Sequence, residues 1–382
     1  MLLAAAAALT FAQGLSFSGD LVTGFVFSAP GPELGDEAGN GKGEKEASDF
    51  RLKGESIDAP TNRLRLLGIF DGGNYGLNFS LNFDFDSFFG EITANDFSNL
   101  KTFTWGFDPA KQGAWVWGDL FYNVLRLSAG KFGDNVWNTT LDEKWGLEEY
   151  RTGLRAEIKP GYGISAGILF KMPPQYVAAE EQYTVQRLLK EMVIGARYDN
   201  SALSVALAFE MDGMDNFRDD EQELVFGFMY RGIPGLQAGF EGKIQNLGLS
   251  AEFPFDYTTF SFSILQMAGY DFSSSFYGRI KIYEKKKTGQ DDWTLEIYPF
   301  AIYKFSRWLE VGGELGFGAD MNSFADTWYL AVKPVLWYHL GAYATIGAYW
   351  YNKFIHCYNY TYSSDKYDTF YTELGLVFYW SF

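Results

Sequence analysis

The stretch from Tyr75 to Asp86, YGLNFSLNFDFD, alternates without a break. Tyr75, Leu77, Phe79, Leu81, Phe83 and Phe85 share one parity, and Gly76, Asn78, Ser80, Asn82, Asp84 and Asp86 the other. A strand turns successive side chains to opposite faces, so this segment carries one apolar and one polar surface. Its 12 residues exceed the ~5–6 of an ordinary strand and suit the ~9–11 that a tilted strand needs to cross a bilayer.

The same period recurs along the chain. Leu203, Val205, Leu207 and Phe209 oppose Ser204 and Glu210; Leu309, Val311, Leu315 and Phe317 oppose Glu310 and Glu314. Tight links built from Gly, Asn, Asp and Pro fall at residues 71–74, 160–161, 199–201 and 232–234, with another near Tyr122 and Asn123; these residue types are what hairpin turns require. Longer polar links separate them, at 29–60, 87–112, 133–148 and 172–190, with further ones at 211–220 and 354–366. Short turns alternating with long loops are the rhythm of a transmembrane barrel. The pattern predicts an all-β, antiparallel up-and-down transmembrane barrel over residues 13–382, of 18 strands. Sixteen is the second choice, because 247–275 reads either as a strand or as part of a loop.

Composition agrees with that reading and removes others. Phe, Tyr and Trp make up 19% of 382 residues, there is one cysteine, and the net charge is −17. Disordered chains lack aromatics, a disulfide scaffold needs paired cysteines, and a nucleic-acid binder usually carries a basic face. Mean hydropathy lies slightly below zero, which excludes a helical membrane bundle and suits strands with one wet and one apolar face. Residues 1–12, MLLAAAAALTFA, read as the apolar core and small-residue end of a signal peptide. The chain is therefore expected to be exported.

The last strand carries a more specific signal. Glu373, Gly375, Phe378 and Trp380 follow a polar-x-Gly-x-x-aromatic-x-aromatic spacing, and the chain ends on Phe382. This resembles the assembly signal of bacterial outer-membrane barrels, with Gly375, Phe378, Trp380 and Phe382 as its residues. The resemblance implies the barrel-assembly machinery as a partner. Physically, the segment is an amphipathic strand with an edge free to pair. A second segment, Ala114 to Trp137 (AWVWGDLFYNVLRLSAGKFGDNVW), resembles a hairpin of spirochaete-type outer-membrane porins. Together these imply an outer-membrane location and lipid contact. They also imply a water-filled channel for passive diffusion of small hydrophilic solutes and ions. The analogy with general porins extends to a homotrimer.

Parity then assigns the charges. Placing Arg or Lys on the lipid face at mid-bilayer costs about 2–4 kcal/mol, so the polar parity is expected to line the pore. That set includes Arg63, Arg65, Arg126, Arg151, Arg155, Arg197, Asp84, Glu241, Glu310 and Glu314. Arginines gather on the segments from 61 to 197, and carboxylates on those from 293 onward and on the first strand. Two readings stay open: a transverse field across the lumen, or ion pairs that hold neighbouring strands together. Trp105, Trp137, Tyr270, Trp337, Tyr349 and Trp350 are candidates for aromatic girdles. The stretch 178–190 partly fits a helical period and belongs either on the rim or in the pore.

Catalytic chemistry is not expected. The two histidines, His339 at a strand end and His356 in the 354–366 link beside Cys357, form no triad with a serine and an acid at one level. They also fall short of the usual four zinc ligands, and no cofactor motif is present. The alternative to a channel is a surface adhesin or ligand-binding barrel that acts through its outer loops.

Overall fold

The computed structural model describes residues 14–33, 63–85, 105–106, 113–132, 152–171, 192–212, 221–245, 247, 261–287, 292–321, 327–358 and 366–382. The expected leader and most of the long links lie outside these residues. The strands are β1 (Leu15–Glu33), β2 (Arg63–Asp71), β3 (Tyr75–Phe85), β4 (Trp105–Gly106), β5 (Gly113–Leu120) and β6 (Leu125–Lys131). Next come β7 (Thr152–Gly161), β8 (Ile164–Lys171), β9 (Met192–Asp199), β10 (Leu203–Asp212), β11 (Glu221–Tyr230) and β12 (Leu236–Gln245). The series ends with β13 (Ser261–Ser273), β14 (Phe276–Lys287), β15 (Asp292–Lys304), β16 (Leu309–Asp320), β17 (Thr327–His339), β18 (Ala344–Tyr358) and β19 (Lys366–Ser381).

All pairings are antiparallel, and β19 returns to pair with β1. The two-residue β4 meets β3 at Asp84 and Phe85, while β5 meets it from Tyr75 to Ser80, so both occupy one place in the wall. Among the described residues the wall is thus a closed barrel of 18 strands. Closure removes the free edge that the last strand has in the sequence reading. Leu21 pairs with Trp380 and Thr23 with Phe378, and the Gly19 N–H donates to the Phe382 carbonyl at 2.9 Å.

The turns at one end explain their own sequences. Asn200 Oδ1 accepts the Ala202 and Leu203 N–H groups at 2.8 and 2.7 Å. Ser306 Oγ accepts those of Trp308 and Leu309 at 3.1 Å each. Short polar side chains mimic a backbone turn in this way. The turn after β5 is different: Phe121, Tyr122 and Asn123 all take positive φ, at 52°, 58° and 68°, a region that bulky residues rarely enter. Both rings are exposed there, and so are Tyr162, Phe272, Phe305 and Tyr343 at other turns of the same end.

The two faces of the wall are inverted relative to a soluble protein. Leu154 (51% exposed), Leu315 (51%) and Leu374 (53%) lie on the outward parity, while Glu241 (0%), Glu314 (1%) and Lys353 (1%) lie on the inward one. Such an apolar exterior suits lipid, whereas soluble monomers rarely expose large contiguous apolar patches. The outward parity also carries Pro299 and Pro334, and the ladder opens beside each. β15–β16 pairing skips Tyr298 and Pro299, and β17–β18 pairing skips Lys333 and Pro334. A proline has no N–H to donate to the ladder.

Several expectations change. Strand β1 runs to Glu33, past its expected end at 28, with a register shift after Pro30. His356 lies inside β18, paired with Asp368 and Trp328, rather than in a loop. Trp337 pairs with Glu310 and Tyr349 with Val335 and Gly375, all inward positions, so neither belongs to a girdle. The reason is local: β17 and β18 are apolar on both parities, so apolarity alone does not assign a face. Trp350 and Tyr270 do face outward. The side chain of Trp105 and the whole of Trp137 lie outside the described residues.

Candidate functional site

The inward face is the candidate site, and cross-strand register sets which side chains meet there. Arg65 on β2 stands opposite Asp20 on β1, and Nη2 reaches Oδ2 at 2.6 Å. Arg126 on β6 faces Asp119 on β5 in a two-pronged pair, with Nε–Oδ1 2.7 Å and Nη2–Oδ2 2.6 Å. Its guanidinium also lies 4.0 Å over the Trp117 ring. Arg155 on β7 sits 4.7 Å over Phe132. Arg197 on β9 binds Asp199 at 2.9 Å, and Arg231 approaches the same carboxylate at 4.0 Å. The two-pronged Arg126–Asp119 contact holds its guanidinium in a fixed plane.

The carboxylates are less open. Glu241 and Glu314 are buried. Glu310 lies 3.4 Å from both Lys304 and His339 Nε2. Arg63 and Asp84 are register partners across β2 and β3, but their side chains lie outside the described residues, and so does Arg151. The structure thus brings Arg65, Arg126, Arg155 and Arg197 to one side of the inward face. Glu310 and Glu314 lie on β16, nine places round the 18-strand ring from β7 and Arg155. In a closed ring those two strands are diametrically opposed.

Sequence reasoning missed the densest part of the inward face. Tyr283, Tyr298, Tyr329, Tyr349 and Tyr351 are buried in one cluster on β14 to β18, with Tyr371 of β19 against it. The Tyr298 and Tyr329 hydroxyls meet at 2.6 Å. The Tyr349 and Tyr371 hydroxyls donate to the two oxygens of Glu373. The ammonium of Lys353 lies 4.2 Å over the Tyr329 ring and that of Lys333 4.7 Å over Tyr349, and such contacts strengthen when water is excluded. The available signal was tyrosine recurring on one parity of β14, β15, β17, β18 and β19. On the arginine side, Lys171 and Glu210 form a buried ion pair between β8 and β10.

The four residues expected as an assembly signal divide between the faces. Gly375 is inward beneath the Tyr349 ring, where a Cβ would overlap it. Phe378 and Trp380 are on the outward parity beside Leu374 and Leu376, and Phe382 packs over Gly19. The hairpin resembling spirochaete-type porins forms β5 and β6, with Trp115 and Trp117 turned inward.

No family model and no curated protein matches the sequence. Solved structures do match over nearly the whole chain. Acinetobacter baumannii OccAB4 superposes with a TM-score of 0.54 at 10% identity, covering 97% of this chain and 99% of its own. The chain has the fold of a bacterial outer-membrane porin. Pseudomonas aeruginosa OpdK, solved with vanillate, gives 0.52 at 11% identity, covering 96% and 99%. The anion-selective porin of Comamonas acidovorans gives 0.50 at 13%, covering 96% and 99%. At these identities the porin likeness is one of fold, and the side chains on the inward face are this chain's own.

Proposed function

We propose that the protein is an outer-membrane porin, a passive channel for small hydrophilic solutes and ions. The observation that carries this reading is the inversion of the wall: charged and tyrosine-rich inside, apolar outside, around a closed ring of 18 strands. Barrels of about 16–18 strands leave an aqueous lumen, whereas about eight are filled by their own side chains. Single-channel recording in planar bilayers tests it. Stable nanosiemens-scale steps support the channel, and silence from correctly folded protein supports a surface adhesin instead.

Within that reading the water path follows the arginine side. Arg65 is 40% exposed, Arg126 27% and Arg197 26%, against 1% for Lys353, Glu314 and Tyr298 on the opposite side. The tyrosine cluster of β14–β19 is then a packed, hydrogen-bonded stretch of wall that opens only towards the short turns, where Lys304 is 51% exposed, and the arginines set the potential felt by solutes. Their pairing with Asp20, Asp119 and Asp199 supports a structural role beside the electrostatic one. The C-terminal segment serves as the assembly signal. Its outward aromatics, Phe378 and Trp380, are available to the insertion machinery before β1 takes the edge. Replacing Trp380 and Phe382 with serine tests this: the fraction of heat-modifiable, folded protein in cells should drop, while refolding of the purified chain into detergent persists.

A further inference from the structure

At the short-turn end, β13 to β17 line an open-sided cavity of about 840 Å³. This volume falls in the ~300–1,000 Å³ range of small-molecule sites. Tyr277, Phe300 and Trp337 form its inward aromatic walls, with Phe300 and Trp337 set edge to face at 6.4 Å. Glu310 stands between Lys304 and His339, 3.4 Å from each. His339 is oriented from behind by Thr345, whose Oγ1 lies 3.0 Å from Nδ1. Asp271 adds a second carboxylate at the rim. Among these two carboxylates stand the Lys304 ammonium and the His339 imidazole, while the Arg279 guanidinium lies outside the lining, 5.4 Å over the Tyr277 ring.

Groups of both signs are therefore interleaved in the lining, and an ion of either sign meets a like charge there. What the cavity offers is acceptors (carboxylates), donors (ammonium and imidazole) and ring faces within one small volume. A hydroxyl both donates and accepts, so the complementary ligand is neutral, rich in hydroxyls and apolar on one face. We propose that this cavity binds a neutral mono- or disaccharide. Trp337 and Phe300 take the C–H face of the sugar ring, and Glu310, Lys304 and His339 take its hydroxyls. The proposal rests on the channel reading for its purpose, but binding can be measured apart from conduction.

The test uses the full protein in planar bilayers and, separately, in detergent. Glucose and maltose are titrated against conductance, each variant being compared with its own sugar-free level. Saturable block is expected, and Trp337→Ala should raise the half-blocking concentration about five- to tenfold. The outward-facing Trp350→Ala should leave it unchanged. Glu310→Gln and Trp337→Phe serve if Trp337→Ala loses the folded, heat-modifiable form, and Glu310→Gln alone should weaken block several-fold. Should no variant conduct, the channel reading fails. Calorimetric titration of maltose into the detergent-folded protein, lost in Trp337→Ala, would still uphold the site. Absence of both block and calorimetric binding overturns the proposal. So does block that is equal in wild type and Trp337→Ala, or stronger block by benzoate or benzyltrimethylammonium than by either sugar.

Discussion

The hydroxyls of Tyr298 and Tyr329 meet at 2.6 Å across β16, over inward positions held by Gly316 and Gly318. The two tyrosines sit on strands that do not pair, so their contact depends on the strand between them presenting no side chain. A Cβ at Gly318 would overlap the Tyr329 ring. Gly318→Val should therefore destabilise the barrel by about 1–3 kcal/mol through overpacking. Tyr298→Phe should cost about 1 kcal/mol for the lost hydrogen bond. Urea midpoints of the lipid-refolded protein, followed by gel mobility, check both. Equal midpoints for Gly318→Val and wild type would show that the tyrosines do not rest on β16.

Arg155 faces β16 from the other side of the ring. Neutralising Arg151 and Arg155 together, as Gln, should shift ion selectivity towards cations while single-channel steps persist. Reversal potentials under a salt gradient give the answer. An unchanged potential would remove both residues from the solute path. The shift should shrink as salt rises, since exposed charges are screened over ~8–10 Å at about 0.1–0.15 M.

Lys171 and Glu210 are a buried pair. Lys171→Met alone should cost about 3–5 kcal/mol, because it strands a carboxylate away from water, whereas joining it with Glu210→Leu should restore much of the loss. A double-mutant cycle on unfolding midpoints measures this. Additive effects would mean that the pair is solvated in the membrane.

The outward face gives the contrasting case. Leu315→Arg places a cation among lipid tails, at a cost of about 2–4 kcal/mol if the site is near mid-bilayer. Inward Ala331→Ser, on the strand beside it, should change stability by much less. Folding equilibria in phospholipid vesicles compare the two, and an equal cost would mean that the assigned faces are wrong.

Much of the fold was legible in the chain. Where one parity is polar and the other apolar, as in Tyr75–Asp86 and Leu203–Glu210, a one-residue slip would put charge into lipid. Strand face follows directly. The arginines of β2, β6, β7 and β9 were found in this way. Legibility fails on β17 and β18, where Trp337 and Tyr349 sit on a parity no more polar than its opposite. It fails again at the turns, where Phe121, Tyr122 and Tyr162 supply exposed aromatics that a strand pattern does not reveal. His356 escaped because its strand runs five residues beyond the expected end at 353, to Tyr358.

The amino-acid order by itself determined that this chain forms bilayer-length strands, that they join in hairpins, and which side of most strands is wet. These are local properties, set by a period of two and by turn chemistry. Only the tertiary structure decided what lies opposite what. Closure of β19 on β1 makes β7 and β16 face each other. It also lets Tyr298 reach Tyr329 over glycines and gathers Tyr277, Phe300, Glu310, Trp337 and His339 around one cavity. Those contacts join residues through the register and tilt of strands distant in sequence, and no local pattern encodes a distance across a ring.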